Sequence, residues 1–199
     1  MSSTSAPYGF RPSFHNSGQM RPKAYVITSA YAVSIFSGDP VKLTSDGVIQ
    51  LGTSDGTRSG TTDGVTLLGI LAGVEYLDAT GKPTISPFWP GGTTGTNITA
   101  WVYDDPETLF DVQYANPGTP GTDSVQTAVG AQCDFRVASP GGSTSTGISS
   151  TYLTATVATS GQFQITGFAF LVTDSLTDAY VNVTVRLNEA AYKYPVNAI

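Results

Sequence analysis

Apolar and polar residues alternate in short runs along much of this chain. Ile98, Ala100 and Val102 fall on one side of an extended backbone, with Thr99, Trp101 and Tyr103 on the other. Val181, Val183, Val185 and Leu187 line one face against Asn182, Thr184 and Arg186. A period of two is the mark of a half-buried antiparallel strand. Similar runs predict strands over residues 40–43, 48–51, 109–114, 152–157 and 163–172. Tyr25 and Ile27 open the first of these regions. Asp46-Gly47 between two apolar runs predicts a tight hairpin with a type I′ turn, in which both central residues need positive φ. Residues 67–76 form a long apolar run interrupted by Gly69 and Gly73. That predicts a buried strand with bulges or close backbone contacts at the glycines.

Between these runs the punctuation is dense. Residues 52–64, 115–124 and 139–150 are rich in Gly, Ser, Thr, Asp and Pro. They read as loops, the first and last facing solvent and tolerant of insertions. Residues 78–81 read as a turn, and residues 83–95 as a rigid Pro/Gly loop around Phe88 and Trp89. No long stretch has a helical period; at most a turn or two of helix is expected near residues 123–129 and 174–179. The expected fold is all-β, a β-barrel or a sandwich of antiparallel strands.

Residues 1–23 differ from the rest. Pro7, Pro12 and Pro22 oppose helix and central-strand pairing, yet Tyr8, Phe10, Phe14 and Met20 are apolar. An extended N-terminal arm that docks on another molecule accounts for both features; an arm folded back on its own domain is the alternative. The expected organisation is therefore an arm at 1–23, a β-barrel core at 24–114, and further strands at 115–199, in the same domain or a small β subdomain.

Composition narrows the function. Of the 199 residues, 40% are hydrophobic and only 12% charged. Average domains carry about 25% charged residues. The net charge is −6, and the nine basic residues are scattered. They leave no stripe for phosphates or acidic lipids, so neither nucleic acid nor membrane is an expected partner. No apolar run approaches the roughly 20 residues needed to span a bilayer. Cys133 is the single cysteine, and the N-terminus has no basic region followed by an apolar run. Synthesis in a reducing cytoplasm is expected, with no disulfide and no zinc cluster.

Candidate chemistry is sparse. His15 is the only histidine and lies in the Pro-flanked arm, where no scaffold is expected to hold it rigid. Cys133 shares an apolar face with Ala131 and Phe135 and reads as a buried structural thiol. Asp104-Asp105-Pro106-Glu107 is the only acidic cluster. It suits an Asx-type turn, with a metal or a carboxylate pair as less favoured alternatives. No nucleophile elbow, phosphate loop or dinucleotide fingerprint occurs. No catalytic residue, cofactor or metal is expected. Trp89 suits either a sugar-stacking surface or a buried plug.

Several segments resemble the head decoration (cement) proteins of tailed phages, especially marine podoviruses. They are Ala6-Pro7-Tyr8-Gly9-Phe10-Arg11-Pro12 with His15 and Gly18, Ser37-Gly38-Asp39-Pro40-Val41, Gly69-Ile70-Leu71-Ala72-Gly73-Val74-Glu75-Tyr76, Phe88-Trp89-Pro90 and Val102-Tyr103-Asp104-Asp105-Pro106. The likeness runs over roughly the first 110 residues and is fainter afterwards, though Val185-Arg186-Leu187-Asn188-Glu189 fits a closing strand. The resemblance implies a small β-barrel or β-tulip-like domain on the capsid exterior, a homotrimer at three-fold positions, and the major capsid protein as partner. It implies a non-enzymatic virion protein, synthesised in the host cytoplasm, that stabilises contacts between coat subunits. On this reading the arm residues Tyr8, Phe10, Arg11, Phe14, His15 and Arg21 contact the coat, and Phe88 and Trp89 form an interface loop. The rival expectation is a tail, neck or fibre-associated β-structural or glycan-binding protein.

Overall fold

A computed structural model describes residues 4–53, 66–115, 125–154, 161–169 and 175–192. The fold is all-β. Strands β1 (Arg11–Phe14), β2 (Lys23–Tyr25), β3 (Pro40–Leu43), β4 (Ile49–Leu51), β5 (Gly69–Leu77), β6 (Pro83–Ser86) and β7 (Thr96–Tyr103) come first. Then follow β8 (Leu109–Ala115), a 3₁₀ turn at Val125–Ala128, β9 (Gln132–Cys133), β10 (Phe135–Gly142), β11 (Ser149–Leu153), β12 (Phe163–Phe168) and β13 (Tyr180–Leu187). They form two sheets, ordered β2-β7-β5-β3-β4 and β10-β11-β8-β13-β12-β9.

The first sheet closes on itself. A parallel bridge joins Val26 to Val48, and the Ile49 N–H donates to the Val26 carbonyl at 2.8 Å. Ile27, Val41, Leu71, Val74, Ala100, Val102 and Trp89 fill the barrel interior. The alternation in β7 works as its pattern predicts: Ile98, Ala100 and Val102 are buried. Gly69 sits so close to the Tyr103 carbonyl that a Cβ would collide with it. Gly73 marks a bulge in the β5–β7 pairing.

The second sheet curls similarly. Its outer strands β9 and β10 are separated by the single residue Asp134, so one bent strand supplies both edges. Val181, Val183, Val185 and Leu187 of β13 all point into a core with Phe110, Phe135, Phe163 and Ile165. Leu67 and Ile70, from the first barrel, also pack here, so the two cores abut.

Several expectations need correction. The N-terminal segment is not an extended arm. β1 pairs with β8 of the second sheet, β2 pairs with β7 of the first, and Phe10 is buried in the second core. The arrangement departs from the expected boundary at 114 too, because β8 belongs to the second sheet and the chain changes barrels at residues 104–108. The Asp46-Gly47 turn is not type I′. Only Gly47 has positive φ (73°); its N–H donates to the Thr44 carbonyl and the Thr44 N–H to that of Val48. This is a three-residue loop with a glycine bulge, which spares Asp46 a left-handed backbone. Residues 83–86 form a strand rather than loop. Residues 139–150 are mostly a β10–β11 hairpin, exposed at its 143–146 tip and at Ile148, with Ser149 buried. Residues 175–179 make a turn closed by Asp178, not helix. Most of the predicted 52–64 and 115–124 loops, and the ends of the 152–157 and 163–172 runs, lie outside the described residues.

Candidate docking surface

The N-terminal segment runs along the junction of the barrels. Gly9 adopts a φ of +73° and lies against Gly38 and Ser149, where no side chain fits. Its neighbour Phe10 therefore turns inward and stacks on Phe163. Tyr8 and Arg11 turn outward. The Tyr8 hydroxyl donates to Asn182 Oδ1 at 2.9 Å, and the Arg11 guanidinium lies over the Tyr8 ring, 4.5 Å from its centre. Phe14 ends β1 with 54% of its surface exposed, and Met20 is 37% exposed.

Residues 15–25 are fastened to the turn after β7. His15 Nε2 lies 3.1 Å from Asp105 Oδ2, and Nδ1 lies 2.7 Å from Ser17 Oγ. His15 is thus held in place, contrary to expectation. Lys23 Nζ donates to Asp104 Oδ2 at 2.9 Å and the Tyr25 hydroxyl donates to the same oxygen at 2.7 Å. The hydrogen bond to Asp104 raises the Lys23 pKa. Burial, then the bonds to Asp104 and Tyr192, push the Tyr25 phenol well above its ordinary range. Asp105 shapes the turn: its Oδ1 accepts the Glu107 N–H at 2.9 Å, as an Asx turn requires. Arg21 is exposed. Among the described residues no group of three or more His, Cys, Asp or Glu is placed to hold a metal.

The predicted aromatic loop turns inward. Trp89 is fully buried, its indole N–H donating to the Tyr31 carbonyl at 3.1 Å and its ring edge-on to Tyr76. Trp89 is the plug, not a contact surface. Phe88 is half-buried and stacks on Phe36, with ring centres 5.1 Å apart. Phe10, in the second core, is likewise beyond the reach of a partner. Cys133 is buried and its thiol pKa is pushed up to about 12, chiefly by burial, so it is inert as a nucleophile.

No protein-family model, curated protein or solved structure matches this chain.

Sequence reasoning missed one polar node. Asp39 is buried at the head of β3, where its carboxylate accepts the Phe36 N–H at 2.7 Å, Ser149 Oγ at 2.5 Å and Thr151 Oγ1 at 2.9 Å. It ties the first barrel to β11 of the second. Asp39 lies in the Ser37–Val41 segment, but Ser149 and Thr151 are more than a hundred residues away in sequence, and no local pattern announces them. Above this node a cleft of about 680 Å³ opens between Tyr8, Arg11 and the β10–β11 hairpin. A smaller recess of about 150 Å³ continues from Arg11 toward Leu71 and Tyr103 of the first barrel.

Proposed function

We propose that this chain is a non-enzymatic head decoration protein of a tailed phage, which binds the outside of the assembled capsid and strengthens contacts between major coat subunits. The observation that carries the reading is Phe14. An aromatic ring that is more than half exposed ends a strand fixed by β8 on one side and followed at once by the His15–Asp105 contact. Exposed aromatics on ordered backbone are what interface anchors look like, because little freedom remains to be lost on binding. Met20 and Arg21 extend this surface. The sequence resemblance to decoration proteins points the same way.

The mechanism is linkage. A protein that binds only the expanded coat lattice stabilises that state by mass action. A homotrimer would engage several coat subunits at once, so each contact needs only modest strength. The protein would be made in the host cytoplasm and added to the head exterior.

Two measurements test this. Quantitative mass spectrometry of purified virions should find the chain in a fixed, simple ratio to coat, in the hundreds of copies that lattice decoration requires. Purified protein should co-sediment with expanded heads that lack it and raise their thermal stability. A dozen copies or fewer would move it to tail, neck or fibre; absence from particles would end the virion reading.

A further inference from the structure

The cleft at the barrel junction has an unusual charge pattern. Among the described residues that line it and its side recess, Arg11 is the only charged one. The rest of the wall is hydroxyl-bearing (Ser143, Thr144, Thr146, Ser150) or apolar (Pro7, Ile148). Arg11 stacks on a tyrosine and makes no ion pair among the described residues. Stacking fixes the plane of the guanidinium and leaves its edge N–H groups free to grip a carboxylate with paired hydrogen bonds. Asp111, opposite Arg11 in the β1–β8 register, is engaged by the Thr184 hydroxyl. Asp39 lies behind Ser149 and is covered by its three donors.

We infer that this cleft binds an extended acidic peptide segment of a partner protein, with a carboxylate seated on Arg11 and an adjacent apolar side chain on Ile148. Ser143, Thr146 and Ser150 already hydrogen-bond within the hairpin and to the Ala138 carbonyl, so the Thr144 hydroxyl is the wall group best placed to serve the segment's backbone. Charge favours this occupant over a basic one. The chain carries −6 overall. An acidic segment is therefore repelled broadly and attracted at the cleft, which gives register more than affinity. That the partner is a coat subunit rests on the function proposed above; the chemistry of the cleft does not.

The probe is a short peptide with one glutamate flanked by leucines, and its glutamine counterpart. In ¹⁵N-resolved NMR the glutamate peptide should shift the Arg11 Nε signal and the amides of the 143–150 hairpin, and bind about tenfold or more tightly than the glutamine form. Arg11→Gln should abolish that preference, and Thr144→Trp, at the exposed hairpin tip, should weaken both peptides while leaving Tm unchanged. Equal affinity for the two peptides, or shifts confined to other surfaces, overturns the inference. Head co-sedimentation separates the two ideas. Wild-type protein that binds the glutamate peptide but not heads sinks the decoration reading alone. Wild type and Arg11→Gln binding heads equally well show that coat is not the cleft's partner.

Discussion

Phe10 and Phe163 stack with ring centres 4.2 Å apart and planes 17° from parallel, so the first aromatic core residue of the chain rests on one of the last strands. Phe10 also meets Phe110 edge-on. Both contacts lie in a fully buried core. Truncating Phe10 to Ala should cost about 3–5 kcal/mol, the usual range for a buried aromatic. Urea unfolding checks this. Deleting residues 1–22 should be worse, because β1 goes as well, and is expected to yield insoluble protein rather than a folded core. A truncated form that unfolds cooperatively with near-wild-type stability would contradict the placement of Phe10.

The Asp39 node predicts a pH dependence. Burial lifts its pKa above the ordinary 3.8, outweighing the opposing pull of Ser149, Phe36 and Thr151. Between 3.8 and that raised value the folded state holds more protons than the unfolded chain, so stability falls as pH rises. The contribution is fully present below the unfolded pKa and is lost as pH climbs through the folded one. Asp39→Asn keeps the size and removes the titration. Subtracting its Tm-versus-pH curve from that of wild type should leave a difference that declines with rising pH across this window; a flat difference would refute the assignment.

Asp104 allows a comparison between two donors to one oxygen. Tyr25→Phe leaves a buried carboxylate short of a hydrogen bond and should cost about 1–3 kcal/mol. Lys23 is two-thirds exposed, so its ion pair is screened by water. Lys23→Met should cost less than about 1 kcal/mol. Denaturant unfolding of the two variants decides the order. If Lys23→Met proves the more damaging, the ammonium and not the phenol sustains the site.

Gly69 predicts a steric outcome. Its missing side chain lets β5 approach the Tyr103 carbonyl, and both sides of that contact are backbone, which cannot swing away. Gly69→Ala should destabilise by about 1–3 kcal/mol, as overpacking does. Gly47→Ala faces no such neighbour, but its φ of 73° penalises any side chain. A smaller loss is expected there, about 1 kcal/mol. Thermal melts of both variants test the ranking.

On the proposed function, Phe14→Ser and Met20→Ser should lower affinity for expanded heads without lowering Tm, since both side chains face solvent. Unchanged co-sedimentation of the double variant would remove this surface from consideration.

Local order was largely legible in the amino-acid pattern. The alternation in β7 and β13 placed Val102 and Val185 inward, and Gly69 and Gly73 marked a close approach and a bulge. What stayed hidden was long-range pairing. Nothing near Phe10 announces β8 or Phe163, because its partners are chosen by chain topology and not by neighbours in sequence. A buried plug was one of the two readings open for Trp89, but its partner was not legible, because the carbonyl that accepts its indole N–H belongs to Tyr31, far away in sequence. Within the proposed docking surface, the aromatic and basic character of positions 14 and 11 was legible from residue type. The anchoring of His15 and Lys23 by the 104–105 turn was not, since it joins segments some eighty to ninety residues apart.

The attachment of β1 to the second sheet makes the entire first barrel an insertion between two neighbouring strands, β1 and β8. A ribosome emits chain slowly enough that N-terminal segments wait for their partners. Phe10 emerges well before Phe110 and Phe163 exist to receive it. The first barrel has its strands early, while β1 waits as an unpaired, apolar-flanked strand. Where many copies are made together, the β1 of one nascent molecule meets the unfinished second sheet of another. Strand exchange between copies is the hazard built into this connectivity, and slower synthesis past residue 104 would lengthen the time it has to occur.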